Sequence, residues 1–258
     1  MKIGAQLYSV REHMKNLADF EETLKKIADI GYTSVQVSGS CEYEAEWLAE
    51  KLRETGLTCD LTHYSFDKMK ADPLGTVNFH KTFGCKYIGV GSMPGLWDKD
   101  ADVTQKAKEF VRDAKTVADV YKKNGALLMY HNHAAEYFNF VDGKNIMDYL
   151  AASLAPDELG FTLDTHWVVG GNHDPIEQIK KLSGRLPCVH FKDLAFTPDQ
   201  TKHFAPVGYG IIKFEPIIEA LEKAGTEFAF VEQDDCYGED EFACLKKSYD
   251  YLRSLGLN

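Results

Sequence analysis

Short apolar runs alternate along the chain with segments whose apolar residues recur every three to four positions. The first kind, rich in β-branched and aromatic residues, reads as buried strand, and the second as amphipathic helix. Strands are predicted at 2–8 (KIGAQLY), 34–37 (SVQV), 57–62 (LTCDLT), 87–91 (YIGVG), 126–131 (ALLMYH), 160–165 (GFTLDT), 188–193 (CVHFKD) and 228–233 (FAFVEQ). The helical segments between them include 19–31, 44–56, 106–125, 215–225 and 241–256. Gly31, Gly56, Gly125 and Gly225 stand at the ends of four of these, where a left-handed residue closes a helix. The strands are mostly continuous in their apolar character, and no Pro/Ser-rich linker interrupts the eight β-then-α pairs. One closed α/β barrel, a single (β/α)8 TIM barrel over residues 1–258, is therefore expected. An open doubly wound sheet is the alternative, although no G-x-G-x-x-G follows the first strand to support its dinucleotide-binding version.

Composition narrows the functions such a barrel can have. With 258 residues, 44% of them hydrophobic, the chain can bury a large single core. The 40 acidic and 29 basic residues leave a formal net charge of −11, which would repel a phosphate backbone, so no nucleic-acid partner is expected. Gln6, Ser9 and Arg11 interrupt the first apolar run, and no later run is long enough to span a bilayer. A soluble, cytoplasmic protein without membrane partners is the expectation, and a homo-oligomer is the default assembly. Six scattered cysteines without a C-x-x-C suggest reduced, structural thiols.

In a (β/α)8 barrel the chemistry gathers where strands end and βα loops begin. The predicted strand ends carry Gln6 and Tyr8 on the first, His63 on the third, and His131, His133 and Glu136 on the fifth. Asp164 and His166 end the sixth, His190, Lys192 and Asp193 the seventh, and Glu232, Gln233 and Asp234 the eighth. Polar residues belong at any strand end, but four consecutive strands each delivering a carboxylate or imidazole to one rim point to a site. Glutamate, aspartate and histidine together suit one divalent ion, Mn²⁺, Co²⁺, Mg²⁺ or Zn²⁺, with positions open to substrate oxygens. Such an ion polarises a carbonyl while a nearby base takes the proton from the adjoining carbon. His166 follows Asp164, and Lys192 follows His190, at the two-residue spacing that puts side chains on one face of a strand. His166 is thus a candidate substrate contact and Lys192 a candidate partner for an oxyanion. Tyr8, Trp97 and Trp167 are candidate flat surfaces for a sugar, with ordinary packing as the plainer reading of each. Gly208 and Gly210 lie where many barrels bind phosphate, but with no basic residue close before them a tight turn is expected.

The motifs YHNHAAEY (130–137), LDTHW (163–167), GGNHDP (170–175), VHFKD (189–193), GYG (208–210) and VEQDD (231–235) occur in that order. With the opening KIGAQLYSVR they make the chain resemble, over nearly its whole length, the xylose-isomerase-like TIM barrel superfamily, in particular its sugar phosphate isomerase/epimerase family. The resemblance implies a metal held by Glu136, Asp164, His190 and Glu232. The sequence departs from the family at the end of the fifth strand, where many members place the first glutamate and this chain has His131. His131 or His133 is then an alternative first ligand, with Glu136 behind it or acting as base. Catalytic roles fall on Glu136, Glu232, His131, His133 and Lys192, and substrate contacts on Tyr8, His63, His166 and Trp167.

The implied function is a metal-dependent isomerase or epimerase of a small keto-sugar or cyclitol, working through an enediolate. A lyase or dehydratase acting on an oxidised sugar or 3-keto-glycoside starts with the same proton removal, so the sequence does not separate the two. An abasic-site endonuclease of the same superfamily is disfavoured, because Trp167 stands where an Asp-x-x-His motif requires histidine. A barrel that binds without turnover is the non-enzymatic alternative.

Overall fold

A computed structural model describes residues 1–258. Eight strands form the barrel: β1 (Lys2–Gln6), β2 (Ser34–Val37), β3 (Thr58–His63), β4 (Tyr87–Val90), β5 (Leu127–His131), β6 (Gly160–Asp164), β7 (Cys188–Phe191) and β8 (Phe228–Val231). All are parallel and each pairs with the next. β8 closes on β1 through Lys2 opposite Phe228 and Ala5 opposite Val231. The chain thus forms the expected closed barrel ringed by helices.

Alternation along each strand sorts the side chains into two sets. Ile3, Val35, Ile88, Leu128, Phe161, Val189 and Ala229 point outward and pack against the helices. Leu61, Tyr87, Met129, Cys188, Phe228 and Phe230 point inward and make a separate apolar plug in the barrel. Burying one such aromatic or aliphatic side chain stabilises the fold by about 1.5–3 kcal/mol. Bulk on one strand is accommodated by glycine on another. A Cβ on Gly4 would meet the Phe230 ring at 2.5 Å, and one on Gly160 would meet Met129 Sδ at 2.6 Å.

The helices Leu17–Ile30, Ala45–Thr55 and Phe214–Ala224 close on Gly31, Gly56 and Gly225 in the left-handed conformation. Helix Val103–Lys123 differs: Asn124 caps it and Gly125 follows. No helix is long and apolar enough to cross a membrane.

Five predicted strands, the first, fourth, sixth, seventh and eighth, end one or two residues early, and in three of them a side chain or a turn visibly redirects the backbone. After β1 the Gln6 side chain accepts the Tyr8 N–H at 3.1 Å and starts a 3-10 helix, Leu7–His13. After β6, Asp164 caps a short helix, Thr165–Gly170, by accepting the Trp167 N–H at 2.9 Å. After β7 the chain enters an antiparallel hairpin, Asp193–Phe196 with Lys202–Ala205, which the apolar pattern did not indicate.

Candidate metal centre and active site

Above the apolar plug the inward positions turn polar. The ends of β5, β6, β7 and β8 bring His131, Asp164, His190 and Glu232 together, each buried, with one ligand-type atom from each within 4.8 Å of the others. Both imidazoles are oriented from behind. His131 Nδ1 donates to the Gly91 carbonyl at 3.2 Å, and His190 Nε2 donates to Gln36 Oε1 at 2.5 Å. Burial also lowers the His131 pKa to about 3, so in neutral solution it carries one proton, and that proton points away from the group.

The inner atoms are therefore lone pairs. His131 Nε2 lies 3.3 Å from Asp164 Oδ2, and His190 Nδ1 lies 2.9 Å from Glu232 Oε2. His190 Nδ1 and Glu232 Oε2 are both buried and neither finds a hydrogen bond, despite their closeness. Electron-rich atoms held this way repel one another unless a cation lies among them. Two outward-tied imidazoles and two carboxylates fit a divalent metal ion.

Lys192 brings a fixed positive charge to the same place. Its Nζ lies 2.6 Å from Asp234 Oδ2, 3.4 Å from Glu232 Oε2 and 3.9 Å from Asp164 Oδ2. Burial alone would push the ammonium pKa down, but Glu232, Asp164 and Asp234 outweigh it and hold the pKa above the usual lysine range. Burial would likewise raise the Glu232 carboxyl, yet the Lys192 ammonium keeps it well below the usual range, so Glu232 stays ionised. The face of Trp167 lies 5.1 Å from Lys192 Nζ and helps keep it in place.

This group floors a cavity of about 490 Å³. Tyr8, His63, His131, His133, Trp97, Lys192, Glu232 and Asp234 are among its walls. His63 Nε2 and His133 Nδ1 are buried without a partner. Burial lowers the pKa of both rings, that of His133 to about 3, so both are neutral in neutral solution.

Several expected residues lie elsewhere. Glu136 is fully buried but outside the four-atom group: Oε1 accepts the Tyr130 hydroxyl at 2.9 Å and Oε2 accepts the His133 N–H at 2.8 Å. Tyr130 is an outward residue of β5, so Glu136 ties its short helix, Ala135–Phe138, to the outer face of the strand, and His131 stands in the group of four where Glu136 was expected. Asp164 and His190 lie beneath the cavity. His166 does not share the direction of Asp164, because the strand has already become helix at Thr165 and two-residue alternation no longer applies. Its Nδ1 donates to the Asp193 carbonyl at 2.9 Å and its ring stacks on Phe204, away from the cavity. Trp167 packs against His133 with ring centroids 5.6 Å apart and is not part of the cavity wall.

The glycine turn is closed from inside. Asp193 Oδ2 accepts the N–H groups of Gly208 and Gly210 at 3.0 and 2.9 Å, and Oδ1 those of Leu194 and Ile212. A carboxylate of the chain itself fills the place a phosphate would take. Gln36 is the contributor the sequence reasoning passed over. Its signal was a large polar residue at an inward position of a strand, Ser34–Val37, that is buried along its whole length.

The barrel, its match to the xylose isomerase-like TIM barrel model over residues 24–255, and the position of the site at the C-terminal strand ends give the class: the chain belongs to that enzyme family. Among individual relatives, an inosose dehydratase of Lacticaseibacillus casei is 23% identical over 89% of this chain and 88% of its own length. A sugar phosphate isomerase/epimerase from Parabacteroides distasonis superposes with a TM-score of 0.80 at 22% identity, covering 98% of this chain and 93% of that one. A xylose isomerase-like barrel from Mycobacterium smegmatis, solved in complex with magnesium, gives a TM-score of 0.75 at 15% identity, covering 98% and 96%.

Proposed function

We propose that this protein is a metal-dependent lyase or dehydratase that eliminates a group from a polyhydroxylated cyclic ketone. The observation that carries this reading is the placement of Glu136. With its oxygens bound by Tyr130 and the His133 N–H, the carboxylates beside the group on the cavity wall are Glu232 and Asp234, both from the end of β8. Asp67, also on the wall, is exposed and paired with Lys70 at 3.0 Å. An epimerase using two carboxylates needs them on opposite faces of the sugar, whereas elimination needs one base and a stabilised oxyanion. The inosose dehydratase relative supports the same choice over the isomerase expected first.

His131, Asp164, His190 and Glu232 hold the ion, and two imidazole ligands favour Mn²⁺, Co²⁺ or Zn²⁺ over Mg²⁺. The bound ion supplies Lewis-acid polarisation of the ketone. The Lys192 ammonium stabilises the oxygen that becomes an enolate. His133 or His63, each a neutral ring lining the cavity, takes the proton from the carbon next to the ketone and returns it to the departing oxygen. Trp97 stacks edge-on against His133 at 5.1 Å and holds that ring toward the cavity.

The test is proton exchange in D₂O with the protein loaded in turn with each of the four metals and offered inososes, 3-keto-glycosides and ketoses. Deuterium entering next to the ketone, with an unsaturated product, is the expected result. An isomer or epimer as product would restore the isomerase reading, and no exchange with any metal would leave a binding barrel.

A further inference from the structure

The cavity wall crosses the seam of the barrel, where the segments that follow β1 and β8 meet. Tyr8 comes from the first of these and Asp234 from the second, and both line the cavity. Ser9 Oγ accepts the Gln233 N–H at 2.9 Å and gives the two segments one tie. Arg11, which is not part of the wall, gives them another. Its Nη1 donates to the Tyr8 carbonyl at 2.9 Å and to the Asp234 carbonyl at 3.1 Å. The same guanidinium lies over the Tyr8 ring, 4.3 Å from its centre.

The local sequence produces this arrangement. In the 3-10 helix that Gln6 starts, Leu7–His13, residues three apart stand one above the other, so Arg11 falls on Tyr8. The loop after β2 packs on the same pair at Gly39, whose φ is +72°. A Cβ there would lie 2.9 Å from Tyr8 Cδ2 and 3.1 Å from Arg11 Cβ. A planar guanidinium covers a ring face while donating in its own plane, which an ammonium does not do.

We infer that Arg11 is a positioning residue of the site: one side chain behind the wall sets both the Tyr8 ring and the Asp234 carboxylate. What those two groups then do rests on the elimination reading above. Asp234 Oδ2 lies 2.6 Å from Lys192 Nζ, nearer than Glu232 at 3.4 Å or Asp164 at 3.9 Å. A shift of the Asp234 backbone therefore moves the ammonium that stabilises the enolate oxygen, and that interaction is made in the transition state. The Tyr8 ring acts on another quantity. It packs against the bound ketone in the ground and transition states alike, so its loss raises KM, whereas a displaced Lys192 lowers kcat.

The test uses the metal-loaded protein and the compound it turns over fastest among inososes, 3-keto-glycosides and ketoses. Tyr8→Ala should raise KM about tenfold at nearly constant kcat. Arg11→Met keeps the stem and removes the donors. It should raise KM by a similar factor and lower kcat about tenfold, with native far-UV circular dichroism and full metal occupancy. The double variant should show the KM of Tyr8→Ala and the kcat of Arg11→Met, because the two residues act on KM as a unit. A KM effect that multiplies in the double variant, or an unchanged kcat in Arg11→Met, would overturn the positioning role. Should Arg11→Met not fold, Arg11→Lys carries the same test: its ammonium does not lie flat on the ring, and wild-type KM and kcat in it would overturn the role.

A second readout needs no turnover. The Lys192 ammonium is buried beside Asp234, and its protons, followed by NMR of labelled lysines, should exchange with water about tenfold faster in Arg11→Met. Faster exchange in the variant of a protein that transforms none of the compounds would overturn the elimination and leave Arg11 in its role. Unchanged exchange beside normal wild-type turnover would overturn the role of Arg11 and leave the elimination standing.

Discussion

The two ends of the barrel interior are built by the same strands and differ in almost every physical respect. Toward the N-terminal end, Phe228, Phe230, Met129 and Leu61 fill the space with apolar volume. Two residues further along β5, β7 and β8, the same inward positions carry His131, His190 and Glu232. The apolar end gains stability by excluding water. At the polar end, lone pairs and charges are held at distances that repel unless a cation is shared, and preorganisation there stores function. The contrast predicts that substitutions at the two ends separate: one kind should change activity at constant stability, and the other the reverse.

The largest effect is expected at the polar end. Glu232→Gln should lower turnover by about a thousandfold or more and weaken metal binding while the far-UV circular dichroism stays native. Unchanged metal affinity and turnover in that variant would remove Glu232 from the site. At the apolar end, Phe230→Ala should cost about 3–5 kcal/mol in urea unfolding, since it opens a cavity that the rigid barrel cannot collapse. Metal stoichiometry of its folded fraction should stay at the wild-type value, and loss of metal there would show that the two ends are not separable.

Gln36→Leu sharpens the comparison from beneath the site. It removes the acceptor that fixes the His190 proton on Nε2, and metal affinity should fall by about 10–100-fold with little change in stability. The smallest effect on metal is expected for Glu136→Gln, which should keep full occupancy. Its signature is in pH dependence. Burial pushes the Glu136 pKa up to about 8 from an ordinary 4.5. Between those values the folded state holds a proton that the unfolded chain has released. Stability should therefore fall as pH rises through that window, and Glu136→Gln should flatten this fall. A wild-type and variant difference in urea midpoint that does not change with pH would contradict the buried placement.

Much of this was legible in the sequence because strands in a barrel impose a strict parity. Lys192 was readable from spacing as sharing a strand face with His190, while Asp164 and Glu232 were readable as strand-end residues whose part in a common group came from the family resemblance. Legibility failed where parity stops. His166 lies one residue into a helix, and its two-residue offset from Asp164 then means a turn toward Phe204 instead of a shared face. Glu136 sits on a short helix, Ala135–Phe138, tied back to Tyr130, an outward residue whose hydroxyl becomes visible as a partner only once the chain is folded. Gln36 escapes notice for the opposite reason: it obeys the parity but lies in the second strand, which carries none of the four clustered residues.

Either His131 or Glu136 from the end of β5 would face an ion held at the group of four. Elemental analysis of the wild type, His131→Ala and Glu136→Gln, each exposed to the same metal and dialysed, tests this directly. The prediction is about one equivalent of divalent ion in the wild type and in Glu136→Gln, and a large loss in His131→Ala. Full occupancy in His131→Ala with loss in Glu136→Gln would contradict it and return the site to the glutamate ligand implied by the family resemblance.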